Sequence, residues 1–127
     1  MPINFHWQVQ DRVLLIEHIG QLTVDEMDAA LTRYIGYLDS AQRPFHLIAD
    51  WRRSLGYPLQ FSMVSKSMSI LRHWNMGHIA LVGVNPSVSF WLDFFSRLTR
   101  VNYRVFKTLD EAIRFLDEID RPQAVSG

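Results

Sequence analysis

The chain contains no cysteine among its 127 residues. This absence excludes a disulfide framework, a thiolate-ligated metal and a cysteine nucleophile, and it fits a reducing compartment. The chain also lacks net charge, because 13 lysines and arginines balance 13 aspartates and glutamates. No overall field would therefore hold it on nucleic acid or an anionic membrane, and neither partner is predicted.

Long hydrophobic runs are also missing. The longest apolar stretch, 79–84, is too short to span a bilayer, and residues 1–6 lack the basic start and apolar core of a signal peptide. These features predict a cytoplasmic protein without a transmembrane segment.

Common catalytic motifs are absent from the sequence. It has no phosphate-cradling glycine loop, nucleophile elbow or dinucleotide fingerprint after a strand. The five histidines include no pair at i,i+4 spacing with a nearby carboxylate. We therefore predict a non-enzymatic protein with no catalytic residues, no metal site and no cofactor.

Hydrophobic periodicity predicts five strands and four helices. Alternating apolar residues mark the first strand, and continuous apolar runs mark strands buried on both faces. Capping boxes at Thr23 and Thr108, and Pro86 in a first turn, indicate helix starts. The predicted strands are 3–9, 13–19, 45–50, 78–84 and 103–106, and the predicted helices are 24–41, 60–74, 87–100 and 109–120.

The element order is ββαβαβαβα. The opening hairpin is antiparallel, and pairing Val9 with Val13 would set Trp7 opposite Leu15. Strand–helix–strand units require parallel pairing through right-handed crossovers. The sequence thus predicts one α/β domain over residues 1–120, with a mixed five-stranded sheet and four helices, followed by a flexible tail over 121–127.

This element order, with the run 20–23 leading into the first helix, resembles the STAS-like proteins, which are related to bacterial anti-sigma-factor antagonists. The supporting features span 3–119 and include the strand ending at Asp50, the strand 78–84 and the pattern 106–112 entering the last helix. Within that group the chain resembles an uncharacterised antagonist-like branch. The resemblance implies a STAS-like fold and a regulatory interaction with a kinase or an anti-sigma factor.

The resemblance also implies a place for a phosphorylation switch. In the regulatory antagonists the aspartate matching Asp50 is followed directly by a serine, which a partner kinase phosphorylates, and a glycine. Here Trp51 occupies the serine position and Arg52 follows it, while Ser54 lies several residues further on. Ser54, flanked by arginines, is the candidate phosphorylation site that remains.

Asp50, Arg52 and Arg53 lie at the predicted carboxyl edge of the sheet, where open α/β folds bind ligands. Guanidinium groups fork onto phosphate or carboxylate, so an anionic or polar head group is one interpretation. The alternative is an Asp–Arg pair that fixes the segment 51–59, with the other arginine in solvent. His46, flanked by apolar residues, is predicted to be a hydrogen-bonded core residue rather than a base.

Two predicted helices carry more apolar residues than packing on one sheet face requires. In helix 60–74 the extra set includes Met63, Ile70 and Trp74, and in helix 87–100 it includes Phe90 and Phe94. Such surplus suits a lipophilic pocket, a protein interface, or deeper burial between neighbouring elements.

These features predict a binding module for a small apolar or amphipathic ligand beside the segment 51–59. The alternative is a regulatory protein-interaction domain of the anti-sigma-factor-antagonist type. A homodimer through Phe90 and Phe94, or through the edge strand 3–9, is an additional hypothesis. The predicted ligand-binding residues are Asp50, Trp51, Arg52, Arg53, Tyr57, Met63, Trp74, Phe90 and Phe94.

Overall fold

Five strands form one sheet in the order β1-β2-β3-β4-β5. The computed structural model describes residues 2–56, 61–84, 90, 93–94, 97 and 102–121, and for 61–64 it describes the backbone alone. The strands are β1 (Ile3–Val9), β2 (Val13–Gln21), β3 (Phe45–Gly56), β4 (Met76–Val82) and β5 (Tyr103–Phe106).

The pairing confirms the predicted mixed sheet. β1 and β2 are antiparallel, whereas β2–β3, β3–β4 and β4–β5 are parallel. Val9 pairs with Val13 as predicted, but Trp7 pairs with Leu14 rather than Leu15. The predicted register was wrong there because an irregularity between Trp7 and Val9 shifts the rest of β1 by one residue.

β3 is six residues longer than predicted, since it continues to Gly56 instead of ending at Asp50. The predicted end of the third strand at Asp50 was therefore wrong. β2 also continues, to Gln21, and it pairs with β3 as far as Gly56. This pairing provides hydrogen-bond partners for the backbone of residues 51–56, a polar segment without the hydrophobic pattern of a strand.

Three helices are defined over the described residues: α1 (Val24–Ser40), α2 (Phe61–Leu71) and α3 (Leu109–Asp120). Thr23 and Glu26 form the predicted capping box of α1. At the start of α3, the Thr108 side-chain oxygen accepts a hydrogen bond from the Glu111 backbone N–H. The Glu111 carboxylate in turn accepts a hydrogen bond from the Thr108 hydroxyl, whereas in a capping box it would accept one from the Thr108 backbone N–H. Just past the end of α2, the His73 backbone N–H donates to the Ile70 carbonyl. α2 is therefore shorter than the predicted helix 60–74.

The predicted helix 87–100 lies mostly outside the described residues. Its four described members, Phe90, Asp93, Phe94 and Arg97, are helical, but the predicted count of four helices is not confirmed. Residues 122–127 of the predicted tail also lie outside the description, so the tail stays a prediction.

Each face of the sheet has its own core. One core contains Leu14, Ile16, Phe45 and Leu81 and packs against α1 and α2. The other contains Leu15, Ile48 and Val82 and is covered by α3 through residues that include Leu116. Because four strands run the same way, their ends define a carboxyl edge near residues 20–21, 50–56, 83 and 106, and an amino edge near 12–13, 45–46 and 76–78.

Candidate functional site

The carboxyl edge is organised around Asp50, the last residue of the buried part of β3. Its side chain is only 3% exposed. Arg52 donates from Nε to Oδ1 at 3.0 Å and from Nη2 to Oδ2 at 2.8 Å, and its backbone N–H donates to Oδ1 at 3.0 Å. Both carboxylate oxygens are therefore bound by the residue two places along the strand.

This pair remains charged over a wide pH range. Burial alone would raise the pKa of Asp50, but the hydrogen bonds from Arg52 outweigh it and lower the pKa. The same hydrogen bond raises the pKa of Arg52, with additional contributions from Glu17 and Asp110. The Arg52 guanidinium is thus paired with the Asp50 carboxylate, and the geometry corresponds to the structural Asp–Arg pair that the sequence left as one alternative.

Gly83, which follows β4, brings the chain close to Arg52. Its φ of +68° is in the left-handed region, and a Cβ there would lie 3.0 Å from the Arg52 Cα and 3.1 Å from the Arg52 nitrogen. Only glycine fits such an approach without moving the backbone. Gly83 therefore allows β3 and β4 to stay close where Arg52 turns back onto Asp50.

We expect Gly83→Ala to lower the free energy of unfolding by about 1–3 kcal/mol, because alanine adds both backbone strain and a contact with the Arg52 main chain. Gly36→Ala is the matched control, since Gly36 lies within α1 and a Cβ there meets nothing within 4 Å. The control should be neutral or stabilising. Urea unfolding of both variants measures the difference, and equal stabilities would contradict the role assigned to Gly83.

A histidine–tryptophan stack supports the other face of the same edge. The rings of His18 and Trp51 lie 3.6 Å apart at 6°. His18 is buried, and its Nδ1 lies 3.1 Å from the Asp50 carbonyl oxygen. A carbonyl only accepts, so Nδ1 carries the proton and donates.

The protonated form of this imidazole is strongly disfavoured. Burial lowers the pKa of His18 to about 4, although the hydrogen bond to the Asp50 carbonyl and the Asp50 charge act in the opposite direction. His18 is therefore neutral at physiological pH and acts as a flat support for Trp51.

The outer part of β3 presents side chains to solvent. Leu55 is 81% exposed, and Arg53 is also exposed. Ser54 is half-buried, pairs in register with Gly20, and its Oγ accepts the Gly56 N–H at 3.3 Å. An apolar and a cationic side chain thus project from a strand that is hydrogen-bonded to its neighbour.

The predicted site residues are only partly brought together. Asp50, Trp51, Arg52 and Arg53 share the carboxyl edge. Trp74, 77% exposed, comes just before β4 and therefore lies at the amino edge, against His73. Tyr57 and the side chain of Met63 lie outside the described residues.

Phe90 and Phe94 are 66% and 48% exposed, as a surface ridge requires, whereas Ile70 is buried in the core beneath α2. The predicted cleft between α2 and helix 87–100 lies mostly outside the described residues. A groove of about 480 Å³ is present elsewhere, at the amino edge, between the β1–β2 turn and α3. Ligand binding by the predicted set stays a prediction.

Two further findings apply to the described residues alone. No helix within them is long and apolar enough to cross a membrane. They also contain no group of three or more histidine, aspartate or glutamate side chains arranged to hold a metal ion.

Comparison with known proteins places this fold. The SpoIIAA-like family model matches residues 13–117, most of the chain, from the start of β2 to the last turns of α3. The chain belongs to the SpoIIAA-like family. This confirms the STAS-like domain that the resemblance implied.

Solved structures with a similar fold match this chain over nearly their whole length. An uncharacterised protein from Shewanella loihica with a SpoIIAA-like fold is 15% identical, with a TM-score of 0.64 and coverage of 90% of this chain and 91% of that one. The unphosphorylated anti-sigma-factor antagonist SpoIIAA is 13% identical, with a TM-score of 0.64 and coverage of 92% and 96%. The phosphorylated SpoIIAA of Bacillus, a cell fate determinant, is 18% identical, with a TM-score of 0.64 and coverage of 90% and 98%. The comparison with curated proteins gave no match.

Two features of the carboxyl edge were missed from the sequence. No local motif marks His18, although its position two residues after Ile16 places it on the face that carries Trp51. The role of Gly83 depends on the approach of β3, which no local pattern reveals.

Proposed function

We propose that this SpoIIAA-like chain is a non-enzymatic protein-interaction module of the anti-sigma-factor-antagonist type. Its binding surface is the carboxyl edge, centred on Arg53 and Leu55. The observation that carries the proposal is the exposure of Leu55 on a strand whose backbone is paired with β2 as far as Gly56. Family membership over residues 13–117 supports the choice of a protein partner.

The described contacts suit a preorganised interface. The Asp50–Arg52 pair holds one side of β3, and the His18–Trp51 stack holds the other. A side chain presented on a rigid strand loses less conformational entropy on binding than one on a free loop. An exposed apolar residue beside an arginine also matches the composition of interface centres.

Phosphorylation cannot act at the residue directly after Asp50, because Trp51 has no hydroxyl group to accept a phosphate. Solved relatives include phosphorylated and unphosphorylated SpoIIAA. In this chain Ser54 is the alternative acceptor near the edge, but it is half-buried in the paired part of β3. We therefore propose that partner binding does not depend on phosphate at this edge.

The ligand-binding hypothesis receives no support from the comparisons. The Asp50 carboxylate and the Arg52 guanidinium bind each other, and this leaves fewer hydrogen-bonding groups for a ligand head group. A protein partner that contacts Leu55 and Arg53 requires no change in that pair. We therefore favour the regulatory alternative.

Changing the exposed edge should weaken partner binding without affecting folding. We expect Leu55→Asp to weaken binding to a cognate anti-sigma factor at least tenfold, because it places a carboxylate at the apolar centre of the contact. Arg53→Glu should give a smaller loss that decreases at high salt, since Arg53 is exposed to solvent and salt screens its attraction for a partner. Isothermal titration against each anti-sigma factor of the source organism measures both.

Trp74→Ala serves as the matched control, because Trp74 is equally exposed but lies at the opposite edge. It should leave the affinity unchanged. The proposal fails if Trp74→Ala weakens binding while Leu55→Asp does not, or if no anti-sigma factor binds the wild-type chain.

A further inference from the structure

The strand β1 forms one edge of the sheet. Within the described residues it is paired with β2 alone, because it comes first in the order of the strands. The outer side of an edge strand carries backbone N–H and C=O groups that have no partner in the sheet. A strand from another chain can bind such groups, so β1 is a candidate interaction surface.

The pairing with β2 decides which residues of β1 face outward. The Ile19 N–H donates to the Pro2 carbonyl at 2.7 Å, so Pro2 directs its carbonyl towards β2. Along an antiparallel pair, residues alternate between binding the neighbouring strand and facing away from it. In the observed register, Asn4 and His6 therefore bind β2 through their backbone, as Pro2 does. The residues that direct their N–H and C=O groups to the outer edge are Ile3, Phe5 and Trp7.

Two features limit the regular part of this edge to residues 3–7. Pro2, which precedes the strand, has no N–H to donate. At the other end, an irregularity between Trp7 and Val9 disturbs the alternation. Phe5 therefore lies at the centre of the segment that can receive another strand.

β1 lacks the charged side chains that commonly protect an edge strand. Its sequence contains no lysine, arginine, aspartate or glutamate, although charges are a usual means of preventing edge-to-edge pairing. The opposite edge is different, because β5 has only four residues and carries the exposed Arg104. Of the two edges, β1 is therefore the one suited to receive another strand.

The side-chain pattern of β1 is complementary to itself. Ile3, Phe5 and Trp7 belong to the core on the α1 face of the sheet, and Asn4 and His6 lie on the opposite face. An antiparallel copy of the same strand, centred on Phe5, sets apolar residues opposite apolar ones and polar residues opposite polar ones. A strand without charge does not select an oppositely charged partner, whereas a second copy supplies this matching pattern.

We propose that a second copy of this chain binds along β1, and that the two strands pair antiparallel around a two-fold axis at Phe5. Phe5 then faces Phe5 of the other copy, Ile3 faces Trp7, and Asn4 faces His6. The outward-facing residues exchange about six backbone hydrogen bonds, two for each facing pair. This dimer is independent of the proposed function, because Arg53 and Leu55 lie on β3.

Arg33 of α1 lies close to the proposed axis, since its Cζ is 4.4 Å from the centroid of the Phe5 ring. Two copies bring two such guanidinium groups towards each other. Arg33 is exposed, so water and salt screen their repulsion. The repulsion therefore lowers the affinity of the dimer without blocking the pairing of the strands.

Sedimentation velocity over a range of protein concentrations measures the dimer. We expect a dissociation constant of about 10–100 μM, because one pair of short strands buries a small area. Amide hydrogen exchange of the wild-type chain, followed by NMR below and above this concentration, locates the interface. The Asn4 and His6 amides, bonded to β2, should be protected at both concentrations. About tenfold protection should be gained on dimerisation by the outward-facing amides, those of Ile3, Phe5 and Trp7.

Two double variants test the register. In Asn4→Lys with His6→Lys, each new lysine faces a new lysine of the other copy, so the affinity should fall by about tenfold. In Asn4→Lys with His6→Glu, opposite charges face each other, and the dimer should be at least as stable as that of the wild type. Lysine suits position 4 in both variants because β2 places Glu17 opposite Asn4. Gln8→Lys, exposed and outside residues 3–7, is the control and should leave the affinity unchanged.

A chain that remains monomeric at millimolar concentration would overturn the proposal. So would a dimer whose formation leaves the exchange of the Phe5 and Trp7 amides unchanged, as expected for an interface through Phe90 and Phe94. Equal weakening by both double variants would contradict the register, because it is the result expected if His6 faced itself across the axis. If a double variant fails to fold, the exchange pattern of the wild-type chain decides.

Discussion

Acidification should lower the free energy of unfolding by about 3 kcal/mol through His18 alone. The pKa of His18 is about 4 in the folded chain, whereas an unperturbed histidine, as in the unfolded chain, has a pKa of 6.5. In this interval the unfolded state binds a proton that the folded state does not, so stability falls as the pH falls from 6.5 towards 4. A difference of about 2.5 pKa units corresponds to about 3 kcal/mol, because one unit is about 1.4 kcal/mol.

Urea unfolding at a series of pH values measures this slope. His18→Phe keeps a ring against Trp51 and loses the donor, whereas His18→Asn keeps a donor for the Asp50 carbonyl and loses the stack. Both remove the titration, so both should show a shallower decline between pH 6.5 and 4, even if they are less stable at neutral pH. An unchanged slope in both variants would show that His18 does not cause it.

The second large effect is expected at the Asp50–Arg52 pair. Arg52→Met should lower the free energy of unfolding by about 2–3 kcal/mol, because it removes both guanidinium donors from a buried carboxylate and leaves it only the backbone N–H of residue 52. We place the value below the usual range for buried pairs because the Arg52 side chain is 43% exposed. Methionine keeps most of the apolar stem, so the loss reports mainly the guanidinium.

A double-variant cycle checks that interpretation. With Asp50→Asn in place no buried charge remains, so Arg52→Met should then cost less than it does alone. Arg53→Met is the matched control and should change stability by less than about 0.5 kcal/mol, since Arg53 is an exposed surface residue. Equal costs of Arg52→Met with and without Asp50 would exclude the pair as the cause.

Much of the fold could be predicted because each element carries a local signal. The buried runs of β2 and β4, and the Thr23–Glu26 capping box, depend on periodicity and on short hydrogen bonds. The extension of β3 to Gly56 could not be predicted, because it depends on pairing with β2 rather than on hydrophobicity. Local pattern specifies the strand core, and tertiary pairing specifies its end.

The candidate site was predicted less well than the fold. Asp50 and Arg52 were identified from their place after an apolar run, and the structure shows that they bind each other. Trp74 was grouped with them because helix periodicity continued past Leu71, but the chain leaves α2 there and places Trp74 at the amino edge. Side chains from different elements meet only through topology, and for that reason His18 and Trp51 were not connected in advance.

The most direct test of the central claim is amide chemical-shift mapping of the chain in complex with an anti-sigma factor that binds it. The account predicts that the shift changes centre on residues 20–22 and 52–56, at the ends of β2 and β3, and that they are small around Trp74 and Asp120. Changes centred on the amino edge, with residues 52–56 unaffected, would contradict it.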